Sequence, residues 1–129
     1  MPYLLPSKSM KGSVIEVIES WGFKYATVGF VWVKENPKSK TIFTGPGNYT
    51  KSNAEVCIIA TKGKLLERVD KTIQQIIINP RENHSKKPDE VRKRIERMYG
   101  DVPRIELFAR QKSEGWDVWG NEVKSDIEL

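Results

Sequence analysis

Residues 88–110 read PDEVRKRIERMYGDVPRIELFAR, and the way this stretch divides decides the fold. Its first half has helical periodicity. Pro88 suits a first helical turn, and Asp89 and Glu90 oppose the positive end of a helix dipole. Val91, Ile95 and Met98 recur on one face, with Arg92, Lys93, Glu96 and Arg97 on the side expected to meet water. After Gly100 the pattern changes. RIELFAR (104–110) is an apolar run of strand length, and a helix over 88–100 therefore feeds a strand over 104–110.

The same alternation runs outward in both directions. KGSVIEVIESWG (11–22) carries Val14, Ile18 and Trp21 at helical spacing, with Gly22 placed to end the helix. YATVGFVWVK (25–34) and AEVCIIATKG (54–63) are rich in β-branched and aromatic residues and read as buried strands. The loop 35–53 between them is punctuated by Pro, Gly and Asn. QQIIINP (74–80) is a third strand stopped at Pro80, and WDVWGNE (116–122) is a fifth, short one. KLLERVDKTI is ambiguous. No Asn-Gly or Asp-Gly hairpin signal joins the strands. The expectation is one α/β domain with a mainly parallel sheet.

Composition limits the function. A chain of 129 residues with 38% hydrophobic and 30% charged residues is enough for one folded domain. No apolar run approaches the ~20 residues of a membrane span. The start, MPYLLPSKSM, lacks the basic flank and long apolar stretch of a secretory signal, so a cytoplasmic location is expected. One histidine and one cysteine exclude a His/Cys zinc site, and Cys57, set in VCIIA, reads as an inert buried thiol. The four tryptophans read as core residues. The net charge is +5, and the acidic tail leaves the positive charge in two earlier regions, 34–71 and 81–112. That distribution suits a polyanion such as nucleic acid, and equally suits an ordinary solvated surface.

In a parallel α/β sheet, ligands bind at the carboxyl ends of the strands. Arg110 ends one strand, and Asn121 and Glu122 end the next. Lys87, just before a helix start, reaches the same edge, where a carboxylate is favoured. Asn and Glu side chains suit the hydroxyls of a ribose. The set would fit a nucleoside with an amino-acid tail. Taken singly, each residue also has a plain structural reading: a carbonyl cap, a solvated charge, a turn.

The segments together are more specific. NHSKKPDEVRKRIERMYG, RIELFAR and GWDVWGNEV, preceded by VIEVIESWGFKYATVGFVWVK and GNYTKSNAEVCIIATKGK, stand in an order and spacing that cover residues 14–123. This succession resembles the adenine-N(6) methyltransferases related to the seventy-kilodalton subunit of messenger-RNA adenosine methyltransferase, a family with bacterial and phage members acting on DNA. The resemblance implies a Rossmann-like fold that binds S-adenosylmethionine. It assigns Lys87 to the methionine carboxylate and Arg110 and Asn121 to the ribose, with Glu122 beside them. Ser113 stands where the messenger-RNA enzymes have a further ribose-binding asparagine. The loop 81–87 would gate the site. Tyr49 and Lys51 in one basic loop, and Arg81, His84 and Lys86 in the other, are the candidate nucleic-acid contacts.

The family carries a catalytic Asp-Pro-Pro-Trp upstream of the helix at 11–22, and these 129 residues contain no such motif. Asn79-Pro80-Arg81-Glu82 lacks the second Pro and the aromatic, and falls at an ordinary strand end. The expectation is thus a single partial, N-terminally truncated methyltransferase domain, with 124–129 an acidic tail and no catalytic residue of its own. Acting on nucleic acid, DNA before RNA, it would be inactive alone; the alternative is a non-catalytic nucleic-acid-binding or regulatory module of the same descent. The missing strand would leave sheet uncovered, so a homodimer or a complementing subunit is expected.

Overall fold

The computed structural model describes residues 2–7, 13–83 and 86–128. Eight elements follow in order: β1 (Pro2–Ser7), α1 (Ser13–Ser20), β2 (Lys24–Glu35), β3 (Ala54–Thr61), β4 (Ile76–Pro80), α2 (Asp89–Tyr99), β5 (Ile105–Leu107) and β6 (Asp117–Trp119). β1 to β4 form one sheet in the order β1-β3-β2-β4, and β5 and β6 form a separate pair.

The strands alternate, and the alternation divides the core in two. Phe30 and Trp32 of β2 and Ile77 of β4 pack with Met98 of α2, supported by Cys57, Val91 and Ile95. The next residues along β3, Ile58 and Ala60, turn to the opposite face and pack with Ile18 of α1, beside Val14, Ile15, Phe23 and Val56. The period-2 strand pattern thus puts α1 on one face of the sheet and α2 on the other. Burial pushes the Cys57 thiol up to about 12, so it stays protonated and weakly nucleophilic at neutral pH.

α1 ends where the sequence placed its stop. Gly22 has φ 81°, a conformation that costs a glycine little, and the amides of Gly22 and Phe23 donate to the carbonyls of Glu19 and Ile18. Trp21 departs from its expected place on the inner face. It is 42% exposed, at the last helical bond of α1 (its amide to the Val17 carbonyl) and just before the turn at Gly22.

The sheet is mixed, which corrects the expectation of a mainly parallel one. β2 runs parallel to β4, while β3 is antiparallel to both β2 and β1. β2 and β3 are the arms of a long hairpin whose loop is braced by bridges Glu35–Ile42 and Gly45–Ser52. A hairpin with so long a loop needs no two-residue turn, so the absence of Asn-Gly carried no information about strand direction. β1 is a strand that sequence reading left unassigned. β5 and β6 pair in parallel over three residues each, shorter than expected at both ends.

Two residues expected to meet water on α2 instead tie the layers together. Arg92 donates to Glu106 of β5 at 3.1 Å and also pairs with Asp89. Glu96 accepts from the indole N–H of Trp116 at 3.2 Å. α2 therefore spans both sheets, its apolar face on β2–β4 and these polar arms on β5–β6.

Candidate functional site

Between the main sheet, α2 and β5 lies a groove of about 630 Å3. Its wall is mostly apolar, with Trp32, Cys57, Met98, Leu107 and Trp116 among its residues, and Glu55, Lys87 and Arg110 break that surface. The volume lies within the range of small-molecule sites, which are apolar with a few placed polar groups.

Lys87 is positioned by the turn into α2, immediately before the N-cap Pro88. Its ammonium lies 2.7 Å from one carboxylate oxygen of Glu55, and Lys34 lies 3.4 Å from the other. The two ammonium groups also stand 6.0 and 5.3 Å from the centre of the Trp32 ring, within reach of its negative face. Trp32 itself is oriented by the bond from its indole N–H to the carbonyl of Asn79, 2.9 Å. Glu55 faces Trp32 directly in the β2–β3 register. The result is a cation–carboxylate–cation cluster resting on one indole.

Arg110 enters from the far end of β5, just after a backbone irregularity. Phe108 has φ 58°, left-handed for a residue with a Cβ, which costs about 1–2 kcal/mol. Its exposed ring packs edge-on against Trp119 with centroids 5.2 Å apart. The kink turns the chain so that the amide of Ala109 bonds the Trp119 carbonyl at 3.0 Å. Next to it, Gly120 comes so near that a Cβ there would lie 2.6 Å from the Ala109 carbonyl oxygen. This close approach brings the two strand ends together, and Arg110 and Glu122 face each other at 4.0 Å.

Of the five cofactor-side residues read from the sequence, Lys87 and Arg110 are in the groove wall. Glu122 pairs with Arg110 outside that wall, Asn121 is exposed in the turn beside it, and Ser113 is half-buried in a turn whose carbonyl accepts the Trp116 amide. Among the candidate nucleic-acid contacts, Tyr49 is fully exposed on the β2–β3 loop, with Lys51 near it. Arg81 stacks its guanidinium 3.7 Å from the centre of the Phe43 ring and bonds its amide to the Glu35 carbonyl. That contact joins the loop after β4 to the β2–β3 loop. Lys86 lies 3.5 Å from both Glu82 and Asp89 and borders the groove. His84 lies outside the described residues.

Sequence reading missed Glu55, Trp32 and Lys34 as members of the site. A lone carboxylate inside an apolar strand, EVCIIA, was the available signal, since a charge is rarely placed there without a partner. Among the described residues no His/Cys/Asp/Glu group is arranged to hold a metal ion. No described helix is long and apolar enough to cross a membrane.

The MT-A70 family model matches residues 5–122 of the chain. The chain belongs to the MT-A70 family. A type II methyltransferase from Mycoplasma, M.MunI, is 41% identical over 106 residues, which cover 81% of this chain and 42% of that enzyme. An N(6)-adenosine-methyltransferase MT-A70-like protein of Arabidopsis thaliana is 32% identical over 112 residues, 84% of this chain and 16% of the relative. The human N(6)-adenosine-methyltransferase catalytic subunit METTL3 is 29% identical over 111 residues, 84% of this chain and 19% of the relative. The chain thus spans less than half of each of these relatives. The family match takes in all the residues that line the groove.

Proposed function

We propose that this chain forms the cofactor-binding part of an adenine-N(6) methyltransferase with a Rossmann-like fold, acting on nucleic acid in the cytoplasm, DNA before RNA. The observation that carries this reading is the mostly apolar groove lined by both Lys87 and Arg110, in a chain of the MT-A70 family. S-adenosylmethionine, when bound, supplies the activated methyl group. Two of the residues stand where it would need them, Lys87 for the tail carboxylate and Arg110 for the ribose edge, with Asn121 and Glu122 in the turn beside Arg110 and an apolar wall for the adenine; Ser113 lies in a turn outside that wall. Tyr49, Lys51, Arg81, His84 and Lys86 would border the nucleic-acid strand.

Lys87 and Arg110 bind and orient; neither removes protons from the target amine. The exocyclic amine of adenine is a weak nucleophile because its lone pair is delocalised into the ring. Acceptors for its protons must come from an Asp-Pro-Pro-Trp segment, which these residues do not contain. β1 pairs only with β3 among the described strands, and β5 only with β6, so both sheets offer an edge on which a complementing subunit or a second copy could complete the site.

The test is calorimetric titration of the 129-residue protein with S-adenosylhomocysteine, followed by labelled-methyl transfer to adenine-containing DNA and RNA. Transfer is measured with the protein alone and after adding the unmatched remainder of the Mycoplasma enzyme as a separate fragment. Binding by the chain alone, with transfer only in the mixture, is the expected result. Absence of binding would refute the reading. Binding with no transfer in any mixture would favour the second reading, a non-catalytic module that binds nucleic acid.

A further inference from the structure

We infer that Glu55 is an internal place-holder for the ligand's carboxylate and tempers the groove's preference for ligands that carry one. The inference rests on the reading of Lys87 given above and assigns a role to a residue of β3 that the reading did not use.

Glu55 has 15% of its side chain exposed, and an ionised carboxylate so placed needs partners. It has two, divided between its oxygens: Lys87 on Oε2 at 2.7 Å and Lys34 on Oε1 at 3.4 Å. The shorter bond is to the lysine whose side chain is 34% exposed, the longer to the lysine that is 18% exposed. Lys87 is thus the more accessible of the two and the one carried on the chain leading into α2, whereas Lys34 is fixed at the end of β2. A ligand carboxylate entering the groove meets Lys87 with a carboxylate already on it. Exchange is the simple outcome. The incoming carboxylate takes Lys87, and Glu55 remains on Lys34, so two ammonium groups and two carboxylates end with each charge paired. Both lysines lie over the Trp32 ring, which keeps the ammonium groups close enough for Glu55 to pass from sharing both to holding one.

This arrangement has two consequences. In the ligand-free protein Lys87 is held in its binding place, not left to solvent, and the conformational freedom to be lost on binding is reduced. A ligand without a carboxylate leaves the Glu55–Lys87 pair undisturbed and gains nothing from it. Glu55 therefore weakens every carboxylate ligand by the strength of one half-buried ion pair, and leaves others unaffected.

The test compares Glu55→Gln and Lys34→Met with the parent chain by calorimetric titration. The probes are S-adenosylhomocysteine and its decarboxylated analogue, which keeps the adenosine and the ammonium. Gln preserves the volume of Glu55 and still accepts a hydrogen bond. Glu55→Gln should bind S-adenosylhomocysteine about two- to fivefold more tightly, the size expected of one partly exposed ion pair, and the analogue with unchanged affinity. Lys34→Met should weaken S-adenosylhomocysteine alone, because Glu55 then has only Lys87 to hold. In the Glu55→Gln background the Lys34 substitution should lose that effect. Equal weakening of both probes by Glu55→Gln would make Glu55 a structural brace and overturn the inference while leaving the ligand assignment standing. Failure of parent and variants alike to bind S-adenosylhomocysteine would overturn the assignment of Lys87, and the inference with it.

Discussion

Gly120→Ala is the most direct probe of how the two short strands hold the groove's far end. A Cβ at this position would lie 2.6 Å from the Ala109 carbonyl oxygen, 3.0 Å from the Ala109 amide nitrogen and 3.3 Å from the Phe108 carbonyl carbon. All three atoms are backbone, so no side chain can swing away to relieve the contact. The strands must separate by several tenths of an ångström. Inserting one methyl into so close a contact costs typically ~1–3 kcal/mol. Separation also lengthens the 3.0 Å bond from the Ala109 amide to the Trp119 carbonyl, whose loss would add about 1 kcal/mol. The pair has only three residues on each strand, so few other ladder bonds oppose the movement. The expected outcome is a loss of about 2–4 kcal/mol in denaturant unfolding followed by far-ultraviolet circular dichroism. Tryptophan fluorescence should report an earlier transition, since Trp116 and Trp119 lie in this region. Affinity for S-adenosylhomocysteine should fall as Arg110 is displaced. A variant with a stability within about 0.5 kcal/mol of the parent would show that the close approach is not a constraint and refute the reasoning.

Other substitutions separate the site from the scaffold. Lys87→Ala should weaken S-adenosylhomocysteine binding by roughly tenfold or more, the worth of one charge-assisted hydrogen bond, with little change in the unfolding midpoint; affinity within twofold of the parent would remove Lys87 from the binding set. Ile77→Ala empties part of the fully buried cluster beneath α2 and should cost ~2–5 kcal/mol in chemical denaturation, without changing the order of ligand preferences. Tyr49→Ala, at a fully exposed loop position, should leave stability unaltered and reduce affinity for single-stranded DNA, which should itself weaken steeply as salt rises; salt-independent binding would exclude the basic loops as the contact surface. Lys112 and the Val118 amide both donate to Asp126 and hold its carboxyl below the usual carboxylate range. A depressed folded-state value means stability that is present above the ordinary Asp range and lost as pH falls through the depressed one. The parent should therefore lose more stability than Asp126→Asn on acidification from pH ~5 downward, and identical pH profiles would show that the tail contact contributes nothing.

Much of the secondary structure was legible because it is local. In α2, Val91, Ile95 and Met98 announce a helix by spacing alone, and all three face the core as that spacing requires. β2 and β3 are recognisable from β-branched and aromatic residues, and Gly22 from its position after an amphipathic run. Trp21 shows the limit of that reasoning. Helical spacing places it on the inner face, but it stands immediately after the end of α1, next to the turn at Gly22, and remains 42% exposed. Arg92 and Glu96 show another. A pattern of charges on the outer face cannot reveal that a second sheet lies against that face and supplies Glu106 and Trp116 as partners.

The order of its motifs, by itself, determined this protein's family, and its periodicities determined most of the elements, because both are properties of neighbours along the chain. Only the tertiary structure decided that β3 runs antiparallel between β1 and β2, that Glu55 meets Lys87 across thirty-two positions of sequence, and that Gly120 lies against Ala109. Strand direction depends on the path of a long loop, and an ion pair across a sheet depends on register. Neither leaves a periodic trace in either segment alone, since the energy of such a contact belongs to two distant stretches at once.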